Sequence, residues 1–263
     1  AEPEASPTPL EELPADVVMQ MNAIQQQVID LRGLHPTHDV PRALLSPEEL
    51  RQRVIDDFLA EYTPEEIADD MIELVALGLV EPGFDLMAFY TDLLSEQIAG
   101  FYDQETGEMY VVKGEGFFGL ERLTYSHEYT HVLQDQTYDI EDGLNFNDDA
   151  CDLDTERCAA IQSLIEGDAS LVELNWFYEH STATDQEQIM EFYESYSGLI
   201  LESAPPYIQK DFVFPYNFGL TFVQTLFDEG GWEAVDAAYR NVPVSTEQIL
   251  HPERYPDDTP IPV

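Results

Sequence analysis

The 263-residue chain is 44% hydrophobic and carries 14 Tyr, 14 Phe and 2 Trp, enough apolar material for a sizeable core, which excludes a disordered polymer. Against 54 acidic residues stand only 10 basic ones, a formal charge of −44, so nucleic acid and anionic membrane surfaces are repelled and excluded as partners. No apolar run is long enough to span a bilayer, so no membrane insertion is expected. A salt-adapted source and a merely acidic secreted protein both account for such a charge.

Residues 1–14, opening AEPEASPTPL, read as a disordered lead-in, and residues 15–263 as a single domain. A start without methionine has the look of a mature N-terminus, which favours a secreted or cell-surface protein. Residues 15–33 place apolar side chains at helical spacing and end in glycine. HDVPRALLS (38–46) is a strand candidate. SPEEL opens a helix with Ser46 as N-cap, Pro47 at the first position and Glu49 three residues after the cap, and TPEEI repeats this grammar with Thr63, Pro64 and Glu66. A third helix covers 85–97, and IAGFYDQETGEMYVVKG (98–114) reads as a β-hairpin around QETG. Helices are then expected over 119–136, 156–181, 184–201, 208–228 and 231–240, and the tail STEQILHPERYPDDTPIPV holds one helical turn. The fold class is α+β, predominantly α, with a small β-sheet.

The two cysteines stand in CDLDTERC, and in an exported chain Cys151 and Cys158 are expected to form a disulfide. Seven residues of continuous helix would hold their Cα atoms about 10 Å apart, too far to bridge. The pairing therefore needs a turn within 151–158, and the alternative is two free thiols.

YSHEYTHVLQ (125–134) carries two of the six histidines four residues apart. On a helix His127 and His131 share a face, with Cβ atoms about 5–6 Å apart, and can converge on one cation; imidazole nitrogen suits Zn²⁺. Glu128 points off that axis, within reach of a water held by the metal. This is H-E-x-x-H, in which the glutamate is the general base of a metallopeptidase. The alternative is a structural helix with two exposed histidines. A third histidine in HExxHxxGxxH is excluded, because Gln134 stands at the glycine position and Thr137 at the histidine position. The other solution is a glutamate from a second helix. AAIQSLIEGDASLVEL (159–174) has an apolar stripe suited to packing on the first helix, with Glu166 inside it. A charge in a core-facing pattern needs a partner, and a zinc ion supplies one. Gly167 beside it permits close approach. Glu166 on a solvated face is the alternative.

HEYTH followed by LIEGDAS resembles the gluzincin metallopeptidases, and YSHEYTHVLQDQTYD, EQIAGFYDQETGEMYVV and STEQILHPERY are similar to a family of bacterial gluzincin-like proteins, over about residues 38–255. The resemblance implies a zincin-like domain with its small sheet beside the HExxH helix, Zn²⁺ as cofactor, His127, His131 and Glu166 as ligands, and Glu128 as base. It implies an edge strand that holds an extended peptide, for which EMYVV (108–112) is the candidate, with an internal strand as the alternative. It also implies a Tyr or His that stabilises the oxyanion. Two candidates stand level: Tyr216 in FPYNFG, at a helix start, and His251 in EQILHPERY. The gap from His131 to Glu166 is longer than in thermolysin-like members and holds the cysteine loop, so substrate preference is not carried over.

Carboxylates commonly orient ligating histidines, and Asp135 and Asp168 are placed to do so. NDDACDLDTE (147–156) is rich in oxygen ligands for Ca²⁺ but lacks the EF-hand glycine and terminal glutamate. The function expected is a zinc-dependent endopeptidase acting on a peptide or protein substrate. The competing readings are a zinc-stabilised acidic extracellular binding protein without catalysis, a calcium-loaded binding module, and a latent peptidase whose residues 1–37 cover the cleft.

Overall fold

A computed structural model describes residues 13–53, 55, 63–97, 100–104, 106–112, 116–195 and 199–260. The lead-in expected over residues 1–14 falls outside these except for Leu13, which packs on the core, and Pro14, which precedes the first helix.

The chain runs α1 (Ala15–Arg32), β1 (Arg42–Leu45), α2 (Pro47–Arg53), α3 (Pro64–Ala76), α4 (Leu86–Gln97), β2 (Gly100–Asp103), β3 (Glu108–Val112), α5 (Gly119–Tyr138), α6 (Asp148–Leu153), α7 (Thr155–Glu179), α8 (Ala183–Ser195), α9 (Leu199–Ser203), α10 (Pro206–Arg240) and α11 (Thr246–Leu250). It is predominantly helical with one small sheet. Local signals account for many boundaries. Thr63 accepts from the Glu66 amide while the Glu66 carboxylate accepts from the Thr63 amide, and Ser46 and Glu49 make the same reciprocal pair at 3.2 and 2.7 Å. The hairpin turns where the Gly107 amide donates to the Asp103 carbonyl at 2.8 Å.

The long C-terminal helix α10 continues through Pro215, so Tyr216 lies well inside it and not at a helix start. It breaks at Gly230 and Gly231, the latter at φ 65°, close to where two separate helices were expected. Between α6 and α7, Asp154 leaves helical geometry (φ −149°, ψ 75°) and turns the chain, which brings the Cα atoms of Cys151 and Cys158 to 5.4 Å and closes the disulfide.

Two helices form the centre. α7 is covered by α5 on one flank and by α10 on the other, so its apolar residues lie all round it and not on one stripe: Ile161, Leu164, Ile165, Leu171 and Val172 are all buried. α5 is likewise enclosed, by α7 on one side and by α1 and the sheet on the other. The sheet order is β1-β3-β2, with β1 parallel and β2 antiparallel to β3. α2 and α4 cover one face of it through Leu50, Met87, Tyr90 and Leu94. β2 comes against α5 at Gly100, where a Cβ would lie 3.0 Å from Thr124 Cγ2 and 3.4 Å from Glu128 Cγ. The opposite face of the sheet, which carries Gly100, Met109 and Val111, thus lies against the helix that carries the two histidines, with edge strand β2 nearest Glu128.

Candidate metal centre

α5 presents His127 and His131 toward α7, which presents Glu166. Glu166 Oε2 lies 3.2 Å from His127 Nε2 and 3.5 Å from His131 Nε2. The imidazoles meet edge to face, with centroids 4.8 Å apart. One ligand atom from each of the three residues lies within 4.8 Å of the other two, and among the described residues this is the one such set of three or more His, Cys, Asp or Glu side chains. The group could hold a metal ion. Two imidazole nitrogens and one carboxylate oxygen, converging from two helices, form a chemically coherent donor set for a divalent cation.

The close approach of α7 and α10 has a specific cause. A Cβ on Gly167 would sit 2.2 Å from the carbonyl carbon and oxygen of Gly219, and a Cβ on Gly219 would sit 2.1 Å from the Ser163 carbonyl oxygen. Gly167 does allow close contact as expected, but with α10. The crossing brings Tyr216, one turn before Gly219, to the centre: its ring centroid is 6.3 Å from that of His127, and it remains 40% exposed at the rim. His251, by contrast, is half-exposed after the short helix α11 and pairs with Glu253 at 3.5 Å. None of the interactions among the described residues joins His251 to the His–Glu group. Of the two level candidates, Tyr216 stands beside the histidines.

The electrostatics of the group follow from several carboxylates and two imidazoles enclosed together. Burial disfavours a charged His127, but hydrogen bonds with Glu166 and Glu173 and the charges of Glu173 and Glu128 outweigh it and hold the imidazole well above its usual range. His131 is likewise opposed by burial yet raised, chiefly by Glu166. Glu166 is pulled well below the carboxylate range: burial works against this, and the charge of His131 and the hydrogen bonds from both imidazoles prevail. Glu128 moves the other way, because burial dominates and favours its neutral form. The charge of Glu166, then burial, hold the Tyr216 phenol well above its ordinary value, so it is a proton-bearing donor. Protons and a metal cation compete for the same imidazole lone pairs.

The residues that orient the histidines differ from those expected. His127 Nδ1 lies 3.0 Å from Glu173 Oε2, and His131 Nδ1 lies 2.8 Å from Gln134 Oε1. Glu173 is seven residues beyond Glu166, two helical turns along the same face, a spacing that could have singled it out. Asp135 instead accepts from the Tyr102 hydroxyl at 2.8 Å. Asp168 is wholly buried and receives Arg32 Nε at 2.8 Å and the Tyr239 hydroxyl at 2.9 Å. Arg32 also reaches Asp236 at 2.8 Å and lies over the Trp232 ring at 4.5 Å, so this cluster joins α1, α7 and α10 and does not touch the histidines directly.

Three further expectations are altered. EMYVV, offered as an edge strand, is the middle strand β3, because β1 pairs along its other side; among the described residues the edges are β1 and β2. α1 does not cover the histidines: Gln25 donates to the Tyr125 hydroxyl at 2.8 Å, and Tyr125 and Tyr129 flank His127 by two positions, about 200° round the helix. Residues 1–12 of the proposed covering segment lie outside the described residues. In the acidic loop, Asn147 and Asp154 serve as helix caps, accepting from the Ala150 and Arg157 amides at 3.1 and 3.0 Å, and no three side-chain ligands converge there among the described residues.

No helix among the described residues is long and apolar enough to cross a membrane. The disulfide fits an oxidising compartment. Comparison with protein-family models, with curated proteins and with solved structures returns no match.

Proposed function

We propose that the protein is a zinc-dependent peptidase of the gluzincin type, acting outside the cytoplasm on peptide or protein substrates. The observation that carries this reading is the convergence of His127, His131 and Glu166 within 4.8 Å, with a buried glutamate, Glu128, on the same helix as the two histidines. Two nitrogens and one oxygen from protein are the ligand count and type of a catalytic zinc site that keeps a position open. A purely structural site has no use for a buried glutamate beside the two histidines whose carboxyl burial pushes upward. The resemblance of HEYTH and LIEGDAS to gluzincins agrees with the zincin-like fold proposed here.

When bound, Zn²⁺ would supply Lewis acidity to the scissile carbonyl and to water. Glu128 takes the proton from the attacking water and passes it to the leaving amine; the burial that raises its pKa suits it to hold that proton between the two events. The Tyr216 hydroxyl donates to the carbonyl oxygen as negative charge builds on it. β2, the edge strand against Glu128, is where an extended peptide adds, in place of β3.

The test is cleavage of a mixed peptide library by zinc-loaded protein at low and high salt, with Glu128→Gln alongside. Cuts that vanish in the variant while zinc remains bound are expected. Cleavage retained by Glu128→Gln would remove the mechanism, and zinc binding without cleavage by either protein would favour the non-catalytic binding protein.

A further inference from the structure

We infer that Gln134 and Glu173 are positioning residues that fix the two imidazoles in the tautomer required for metal binding, and that Gln134 also locks the two ligand-bearing helices in register. This rests on the metal-site reading above. The argument for Gln134 is one of donors and acceptors. Gln134 is wholly buried, and its Nε2 lies 3.0 Å from the carbonyl oxygen of Ile165. A carbonyl can only accept, so the amide nitrogen must face it, and the amide oxygen must therefore face His131 Nδ1 at 2.8 Å. That oxygen can only accept as well. His131 thus carries a proton on Nδ1, so that when the ring is neutral its lone pair is the one on Nε2, which faces Glu166.

Ile165 is the residue immediately before Glu166, so one side chain grips a ligand of α5 and the backbone beside the ligand of α7. On the other ring, Glu173 Oε2 lies 3.0 Å from His127 Nδ1 and accepts from it, which leaves Nε2 aimed at Glu166, 3.2 Å away. With both rings neutral, two lone pairs and a carboxylate oxygen point at one locus, which a cation fills in place of the protons that otherwise bridge the imidazoles to Glu166. The two orienting groups differ in kind. Glu173 adds negative charge and is partly open to solvent, whereas Gln134 is neutral and enclosed.

The experiment uses the full chain and Zn²⁺ and Co²⁺ as probes. Zinc affinity is measured by chelator competition for wild type, Gln134→Met, Glu173→Ala and Glu173→Gln, together with the visible absorption spectrum of each cobalt-loaded protein and the melting temperature of each metal-free protein. Loss of an orienting partner typically costs about 10–100-fold in metal affinity. That loss is expected for Gln134→Met and Glu173→Ala, with an altered cobalt spectrum. Glu173→Gln, which keeps an acceptor oxygen and loses the charge, is expected to recover part of it. Zinc affinities within about twofold of wild type and unchanged cobalt spectra overturn the inference while leaving the metal site standing, since losing a true orienting partner has a far larger effect. A lower melting temperature with wild-type affinity and spectrum also overturns it, because the residues would then be structural only. A wild-type protein that binds neither metal overturns the metal-site reading and this inference together.

Discussion

A single methyl group at the α7–α10 crossing should separate the candidate metal ligands from Tyr216. In Gly167→Ala the new Cβ lies 2.2 Å from backbone atoms of Gly219, about 1.2 Å short of the 3.4 Å at which ordinary contact begins. The obstructing atoms are backbone, so no side-chain rotation relieves the clash and the helices must part by roughly that distance. Overpacking of this kind costs about 1–3 kcal/mol. Alanine returns about 1 kcal/mol of helix propensity. The net loss is at most about 2 kcal/mol, which lowers the melting temperature by up to roughly 8 °C in a chain of this size. For the proposed peptidase, the effect on turnover should be larger than the effect on stability. Glu166 adjoins the substituted residue and Tyr216 rides on the displaced helix, and a misplacement of about 1 Å costs about 10²-fold in rate. Thermal unfolding and peptide hydrolysis on the same zinc-loaded preparation separate the two effects. A variant that melts and turns over like wild type would refute the close crossing and its role in placing Tyr216.

In the proposed peptidase, Tyr216→Phe removes the candidate oxyanion donor but keeps the ring, so kcat should fall about 10²–10³-fold with little change in KM; an unchanged kcat would return His251 to consideration. Arg32→Met leaves the buried Asp168 carboxylate without its cation, and a loss of about 3–5 kcal/mol in denaturant unfolding is expected. A melt like that of wild type would show the cluster to be dispensable. Replacing Cys151 and Cys158 together by serine frees a loop with a sequence separation of 7, which chain entropy values at about 2.4 kcal/mol. The candidate metal centre lies on other segments, so zinc affinity should hold while the melting temperature drops, and an affinity that fell in step would link the loop to the site.

Features decided within a turn or two of chain were open to reading from sequence. The i, i+4 spacing of His127 and His131, the reciprocal caps at Ser46 and Thr63, the QETG hairpin and the break at Gly230–Gly231 each depend on neighbours a few residues away. The requirement for a turn between Cys151 and Cys158 was equally local, since a continuous helix cannot close that span. Glu166 was accessible because a carboxylate inside an apolar pattern on a second helix asks for a partner.

The choice among equivalent groups was left to the tertiary structure. With 54 acidic residues, proximity in sequence carries no information about which carboxylate meets an imidazole; Asp135 and Asp168 were nearer candidates, yet Glu173 makes the contact. Asp168 was already committed to Arg32, 136 residues earlier in the chain. Strand order turned on β1 pairing with β3, from Arg42↔Met109 to Leu45↔Val112, which put EMYVV in the middle of the sheet. Tyr216 and His251 were indistinguishable until a glycine-to-glycine helix crossing brought one of them to the histidines. Periodicity says which face of an element is buried; it does not say against what. The sequence by itself therefore singled out the two histidines, the glutamate beside them and the carboxylate that meets them. The orienting contacts, the candidate substrate edge and the candidate oxyanion donor were decided by contacts that exist only once distant helices have packed.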